Sequence, residues 1–203
     1  MIKLEQFKNC ISIDDETTGL DPNACSIISV GAISLSNILD EIYLENYLRS
    51  DSVIINDKAL EVNGESREAL LGRKGGQKYI SEEELLRNII EFADEHRSFV
   101  IIGKNPKFDY DFLKSIWVRG GKDERSFPFS YRVINYADLV TPLMLLDGYE
   151  IPEMGFSSSD IQKYLGIPDE PKPHNALTGA RYNVMALIEI IKRYNYKFNA
   201  SIQ

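Results

Sequence analysis

Ile11-Ser-Ile-Asp-Asp-Glu-Thr-Thr-Gly-Leu20 decides how this chain is read. It opens as a strand, with Ile11 and Ile13 apolar around Ser12. Side chains two apart on a strand share a face, so Asp14 and Glu16 project together. Adjacent carboxylates repel unless a cation or a proton separates them. Thr17-Thr18-Gly19 then ends the strand, and strand ends are where ligand crevices open in α/β sheets. The simplest chemistry for the pair is oxygen ligation of Mg²⁺ or Mn²⁺. For an isolated D-x-E, an acidic turn on a solvated loop is the competing reading.

Outward from this stretch, Ser26 to Leu35 and Glu41 to Leu48 read as strands two and three. The first 50 residues therefore read as an antiparallel meander. Asn56 to Gly64 reads as a short helix stopped by glycine. Gly72-Arg-Lys-Gly-Gly-Gln-Lys78 reads as a flexible basic loop. Ser81 and Glu84 fit a capping box that opens a helix striped by Leu85, Leu86, Ile89, Ile90 and Ala93. His96 falls in its last turn, where it reads as structural. Phe99 to Ile102 is a fourth strand, and Pro106 starts a helix carrying Phe108, Asp109, Phe112 and Ile116. A fifth strand is expected over Tyr131 to Ile134. Helices are expected over Asp138 to Leu146, Ser157 to Leu165 and from Ala176 onward, with a short polar tail over about 195–203.

The 203 residues suffice for one domain, 1–203, and 43% apolar with 27% charged residues suits an ordinary globular core. No run is long and apolar enough to span a membrane, and the N-terminus lacks the apolar core of a signal peptide. Cys10 and Cys25 form neither a disulfide framework nor a zinc spacing, so a reducing cytoplasm is expected. The net charge of −8 argues against a general nucleic-acid coat protein but not against a nuclease, whose metal site holds carboxylates. Arg67, Arg73, Lys74 and Lys78 form one basic cluster, and Lys104 with Lys107 another. Glu82, Glu83, Glu84, Glu91, Asp94 and Glu95 read as the wet face of a helix.

The string D-x-E-T-T-G-L over Asp14–Leu20 resembles the first motif of the DEDDh (DnaQ-like) 3′–5′ exonucleases, the family of ribonuclease T, oligoribonuclease and the proofreading subunit of bacterial DNA polymerase III. Asn105-Pro-Lys-Phe-Asp109 resembles the second motif, N-x-x-F-D, and makes Asp109 the third carboxylate. His174-Asn-Ala-Leu-Thr-Gly-Ala180 resembles the third, His-x-Ala-Leu-x-Asp-Ala, at His174, Ala176, Leu177 and Ala180. It departs at Gly179, where the family has its fourth metal-binding aspartate. Ala59-Leu-Glu-Val-Asn-Gly64 also resembles the segment after the third strand in bacterial proofreading exonucleases.

The resemblance implies a ribonuclease-H-like α/β fold, a five-stranded mixed sheet flanked by helices on both faces. It implies phosphodiester hydrolysis from the 3′ end, releasing nucleoside 5′-monophosphates. Two Mg²⁺ or Mn²⁺ ions about 3.5–4 Å apart would stabilise attacking and leaving oxygens. Asp14 would bridge them, Glu16 would bind the nucleophile-side ion, and Asp109 would serve the second. His174 would be the general base, on a mobile approach to the last helix, because an imidazole titrates near neutrality. Thr17, Thr18, Gly19, Leu20, Asn105 and Phe108 would meet the substrate. Expected partners are 3′ ends of single-stranded DNA or RNA, with a polymerase and a second copy of the chain as further candidates, and no membrane.

Gly179 costs about 1 kcal/mol relative to Ala in mid-helix, and nothing in the local pattern justifies it. Three explanations stand: an aspartate-to-glycine variant, a natural pseudo-exonuclease that binds without cutting, or replacement of the ligand by another group such as Asn183.

Overall fold

The computed structural model describes residues 1–50, 52–76 and 78–200. After a 3-10 turn at Leu4–Phe7 come β1 (Cys10–Thr17), β2 (Ile27–Ser34), β3 (Glu41–Asn46), α1 (Asp57–Asn63) and α2 (Arg67–Gly72). Then follow β4 (Tyr79–Ile80), α3 (Glu82–His96), β5 (Val100–Gly103) and α4 (Lys107–Arg119). A second 3-10 turn, Glu124–Ser126, leads to β6 (Ile134–Asn135), α5 (Tyr136–Leu146), α6 (Ser158–Leu165) and α7 (Ala176–Ala200).

The strands form one mixed sheet in the order β4-β3-β2-β1-β5-β6. β1 pairs antiparallel with β2 and parallel with β5, so the strand carrying Asp14 and Glu16 is interior. Its alternation sorts the core. Ile11 and Ile13 pack with Leu85 and Ile89 of α3 and with Phe112 and Leu113 of α4. Cys10, with Ile33 and Ile102, packs against Ala180, Val184 and Leu187 of α7. Ser12, on the α7 face, donates its hydroxyl to Ala180 O at 2.9 Å. α5 and α6 pack on α7 through Val140, Leu143, Ile161, Leu165, Ala186 and Ile190.

Gly31 sets how closely α7 approaches. It stands opposite Asp14 in the β1–β2 register, and a Cβ there would collide with the backbone of Ala176 and Leu177. The first turn of α7 thus lies directly on the sheet beside Asp14. Asn175 caps that turn, its Oδ1 accepting from the Leu177 N–H at 3.1 Å and the Thr178 N–H at 3.2 Å.

Several expectations need correction. The sheet has six strands, not five; the extra one is β4, two residues long and so without a readable alternation. The strand expected over Tyr131 to Ile134 begins only at Ile134, because the Arg132 N–H closes a turn onto Ser130 Oγ at 3.1 Å. The basic loop is entered through α2, capped by Ser66 and anchored by buried Leu70. Arg73, 6% exposed, points inward and donates to Ile28 O at 3.1 Å and Asn46 O at 3.2 Å. Gln77 of that loop lies outside the described residues. No polar tail begins near 195: α7 runs to Ala200, with Tyr194 and Phe198 stacked at 6.0 Å, since no Gly or Pro stands between residues 194 and 200. Residues 201–203 lie outside the described residues. Glu82 does not join the wet face of α3; its side chain is buried against Arg49 and Arg119.

Candidate active site

The end of β1 and the start of α7 enclose a cleft of about 200 Å³. Asp14, Glu16, His174 and Gly179, far apart in sequence, all line it. So do Lys104, Tyr136, Glu170 and Tyr182, which were not singled out as site residues from the sequence. Among the described residues, no hydrogen bond or ion pair reaches the carboxylates of Asp14, Glu16 or Glu170. Asp15, between Asp14 and Glu16, also touches the cleft, and its N–H donates to Asp109 Oδ1 at 3.0 Å. Both Asp15 carboxyl oxygens are buried without a hydrogen-bond partner. Asp109 is therefore behind the strand end, buried in the first turn of α4, and does not line the cleft.

His174 is held two residues ahead of α7. Its N–H donates to Val62 O at 3.2 Å, and the preceding Pro173 packs on Gly64, whose φ of 66° ends α1 in the left-handed region. The helix expected over Asn56 to Gly64 thus anchors the histidine's approach. Tyr182 of α7 ties down the same approach by donating its hydroxyl to Asp169 O at 3.1 Å.

Gly179 has a packing reason that the sequence did not reveal. A Cβ at that position would fall inside the Asp14 carboxyl group. The carboxyl of Asp14 thus rests on the backbone of α7, in space a side chain would take. Asn183 also lines the cleft, but it braces β5: its Oδ1 accepts the Lys104 N–H at 3.3 Å, and its amide nitrogen lies close to Gly103.

The residues expected to meet substrate divide in two. Thr17 and Thr18 shape the strand end, Thr17 donating to Gly19 O at 2.7 Å and Thr18 to Ile54 O at 2.7 Å. Gly19 packs on the Cys25 side chain. Leu20 is 82% exposed, and Asn105, at a φ of 57°, is exposed ahead of α4. Phe108 is half-buried and leans on Phe112 at 4.8 Å. None of these six lines the cleft itself.

The electrostatics follow from crowding. Burial, then the charges of Asp109, Glu16 and Glu170, push the Asp14 carboxyl well above the usual carboxylate range. Burial, then Asp14 and Glu16, does the same to Asp15. Burial and the Glu170 charge push Glu16 up to about 7. Burial and Asp15 raise Asp109. Burial raises Glu170, against an opposing pull from His174. Lys104 is a cation of the cleft, its Nζ donating to Ser158 Oγ at 3.0 Å.

The donor set of hard carboxylate oxygens and one imidazole suits Mg²⁺ or Mn²⁺ in kind. Crowding of like-charged carboxylates is what a divalent cation relieves. In the arrangement described, no three His, Cys, Asp or Glu side chains among the described residues surround one point. Asp14 turned onto Gly179 is one reason.

The signals that could have flagged the missed residues are local. Glu170 sits in the same Pro-rich approach as His174, four residues before it. Lys104 immediately precedes the Asn105 of the second motif.

The sequence matches the family model described as exonuclease, of the ribonuclease T type, over residues 11–187. It is 28% identical over 184 residues, 90% of this chain, to the PolC-type DNA polymerase III of Thermotoga maritima. It is 32% identical over 117 residues, 56% of this chain, to that of Thermotoga petrophila. The chain spans only 12% and 8% of the length of these relatives. Its fold is similar to Escherichia coli exonuclease I in complex with a dA16 oligonucleotide, at a TM-score of 0.67 and 17% identity, covering 93% of this chain and 42% of that one. It is similar to cell-death related nuclease 4 at a TM-score of 0.67 and 11% identity, covering 95% of this chain and 64% of that one. The motifs at Asp14, Asp109 and His174 all fall within the matched span, and the chain belongs to the DnaQ-like exonuclease family.

Proposed function

We propose that this chain is a divalent-metal-dependent 3′–5′ exonuclease that releases nucleoside 5′-monophosphates from single-stranded nucleic acid, and that Gly179 slows it. The observation that carries this reading is the meeting of Asp14, Glu16 and His174 in one cleft at the strand end. Asp14 and Glu16 would hold the cation, with Asp109 supporting them from behind the strand. A divalent cation supplies a water of lowered pKa and neutralises charge on the phosphodiester. His174 accepts the proton of the attacking water as general base. Lys104 offers its ammonium to the phosphate. Exposed Leu20 and Asn105, with Phe108, flank the 3′-terminal nucleotides.

The exonuclease I neighbour was solved with a dA16 oligonucleotide, which supports a single-stranded substrate here. The PolC-type relatives support action alongside a polymerase. Gly179 favours a second reading, a pseudo-exonuclease that binds a 3′ end without cutting it.

The test is hydrolysis of 5′-labelled and 3′-labelled single-stranded DNA and RNA with Mg²⁺ or Mn²⁺, by this chain and by its Gly179→Asp variant. The expected result is a stepwise ladder from the 5′-labelled strand, formed far faster by the variant. Shortening from the 5′ end would overturn the direction. No cleavage by either protein, with retained binding of the strand, would move the assignment to the pseudo-exonuclease.

A further inference from the structure

Of the basic pair Lys104 and Lys107, only Lys104 lines the cleft. Lys107 is exposed in the first turn of α4, and its Nζ lies 5.1 Å from the centre of the Tyr110 ring. Tyr110 in turn lines an open groove of about 440 Å³ between α4 and the segment 124–131. Lys114, Arg125 and Tyr131 line the same groove, over buried Phe127 and Phe129. The aromatic floor is fixed by its own packing: Tyr110 meets Phe127 edge-on at 5.4 Å, and Phe127 meets Phe129 at 5.6 Å.

Charge sets this region apart from the rest of the chain. Residues 104–132 hold seven Lys and Arg against four Asp and Glu, whereas the whole chain carries a net charge of −8. The neighbouring acids are already engaged. Glu124 pairs with Lys114 at 2.7 Å, Asp111 pairs with Lys107, and Asp123 accepts the Arg125 backbone N–H at 3.0 Å. Among the described residues, no ion pair engages the guanidinium of Arg125 or Arg132, and both are exposed. Arginines elsewhere, such as Arg67, Arg119 and Arg181, do meet carboxylates. Unanswered guanidiniums at one groove of an acidic protein draw an anion to it.

The aromatic residues say which anion. Tyr131 is 66% exposed, and the Arg132 guanidinium lies 5.0 Å from its ring centre. A lone exposed tyrosine needs no explanation. One that shares a groove with Lys114 and Arg125 has the composition of a single-strand site, in which a ring stacks an unpaired base while cations follow the phosphates. An acidic peptide would be served by the cations alone. The groove also connects with the cleft through α4. Lys107 follows cleft-lining Lys104 by three residues, and Lys114 lies about 10 Å further along the helix axis.

We infer that the groove between α4 and the segment 124–131 holds the single strand upstream of its 3′-terminal nucleotides, with a base stacked on Tyr131 and phosphates on Lys114, Arg125 and Arg132. The inference rests on the exonuclease reading for its purpose, but strand binding is measured without turnover.

The experiment is fluorescence anisotropy of 5′-labelled oligothymidylate of about 16 nucleotides with the full chain in EDTA, where metal-dependent hydrolysis is blocked. It compares the parent with Tyr131→Ala, Tyr131→Trp and Arg125→Gln/Arg132→Gln, with melting curves as a control for folding. Tyr131→Ala is expected to weaken binding about tenfold, and Tyr131→Trp, which keeps a stacking face, to retain it. The arginine double variant is expected to flatten the slope of log K against log salt by about 1.4, the release expected for two single-strand phosphates. In the Gly179→Asp background with Mn²⁺, Tyr131→Ala is expected to raise KM for the long strand and not for one of about 4 nucleotides.

No binding of the long strand by the parent, or binding indifferent to both Tyr131→Ala and the arginine change, would overturn the inference. So would a duplex bound as tightly as the single strand, since its bases cannot stack on Tyr131. Displacement of the strand by polyglutamate at equal charge would overturn it as well and make the groove a seat for an acidic protein segment. Stepwise cleavage with strand binding indifferent to the groove removes this inference and leaves the exonuclease. Groove-dependent binding with no cleavage even by the Gly179→Asp protein removes the exonuclease and leaves the strand site.

Discussion

At the start of α3, Glu82 is buried to 2% exposure with its charge answered on every side. Oε2 accepts from Arg119 at 2.6 Å, and Oε1 accepts from Ser26 at 2.5 Å and from Arg49 at 3.3 Å. At the end of β1, Asp15, Glu16 and Asp109 are buried to a similar degree, with no ion pair to any of them among the described residues. The first arrangement spends two arginines to hold one carboxylate. The second gathers like charges whose pKa values rise through burial and mutual repulsion. A fold that can satisfy Glu82 so completely does not leave the β1 cluster unanswered for want of arginines. Unrelieved charge of this kind marks functional sites, where stability is given up for binding or catalysis.

The comparison breaks most sharply where catalysis is measured. In the Gly179→Asp background, His174→Ala is expected to slow hydrolysis by about 10²–10⁴-fold, the usual contribution of a general base. Its melting temperature should barely move, because the imidazole is only half-buried. Steady-state rates on a labelled oligonucleotide check this; a loss below tenfold would remove His174 from its role.

At the opposite pole, Glu82→Ala should leave the chemistry per folded molecule intact and cost about 3–5 kcal/mol of stability, since it strands two partly buried guanidiniums. Urea denaturation measures the cost. A loss under about 1 kcal/mol would mean that the arginines find water easily and that the two regions differ less than their geometry suggests.

Glu82 also shows what was hidden in the sequence. It stands in an acidic run with Glu83 and Glu84, and only tertiary packing turns it away from water. Arg73 was hidden the same way, in a stretch that read as a flexible basic loop. Elements with a long period were legible. The alternation of β1, the apolar stripe of α3 and the Asn56 and Gly64 signals around α1 appear where the sequence places them. Two-residue strands such as β4 carry no period, and the number of strands was missed there. In the site, Asp14, Glu16 and His174 were legible because each sits in a motif, and they do share a cleft. Glu170 has no motif and enters only through the path of the chain. Gly179 was read as a departure from the motif, but its contact with Asp14 depends on how closely Gly31 lets α7 approach.

A smaller effect sharpens the comparison from within the cluster. Asp15 stands between the two motif carboxylates and beside Asp109, with neither of its oxygens bonded. Asp15→Asn keeps the shape and removes a carboxyl whose ionisation burial and its acidic neighbours oppose, so the metal-free protein should gain on the order of 1 kcal/mol near neutral pH. The same change at Glu82 should destabilise, because there the charge is paired. A urea midpoint for Asp15→Asn below that of the parent would show that the carboxyl has a partner the geometry does not reveal, and the contrast between the two regions would lose its basis.

The smallest expected effect concerns a third kind of carboxylate, exposed and paired with a titrating partner. Asp40 accepts from His96 Nε2 at 3.0 Å, while His96 Nδ1 bonds Phe92 O at 2.9 Å at the end of α3. Burial alone would lower the His96 pKa, but the Asp40 and Phe92 hydrogen bonds outweigh it and raise it above its ordinary value of 6.5. A histidine whose folded pKa is raised contributes stability fully below its unfolded pKa, and that contribution disappears as pH rises through the folded pKa. The pair should therefore stabilise the protein most below the ordinary histidine pKa of 6.5 and lose that contribution as pH rises through the raised folded value. Melting curves of the parent and of Asp40→Asn, run across that range, should differ by no more than a few degrees in acid and converge in base. Because Asp40 is exposed, salt should narrow the gap, whereas the cost of Glu82→Ala should be almost indifferent to salt. A gap that widens with pH would mean that the imidazole is held neutral in the fold, with its ring nitrogens serving as one donor and one acceptor rather than as a cation.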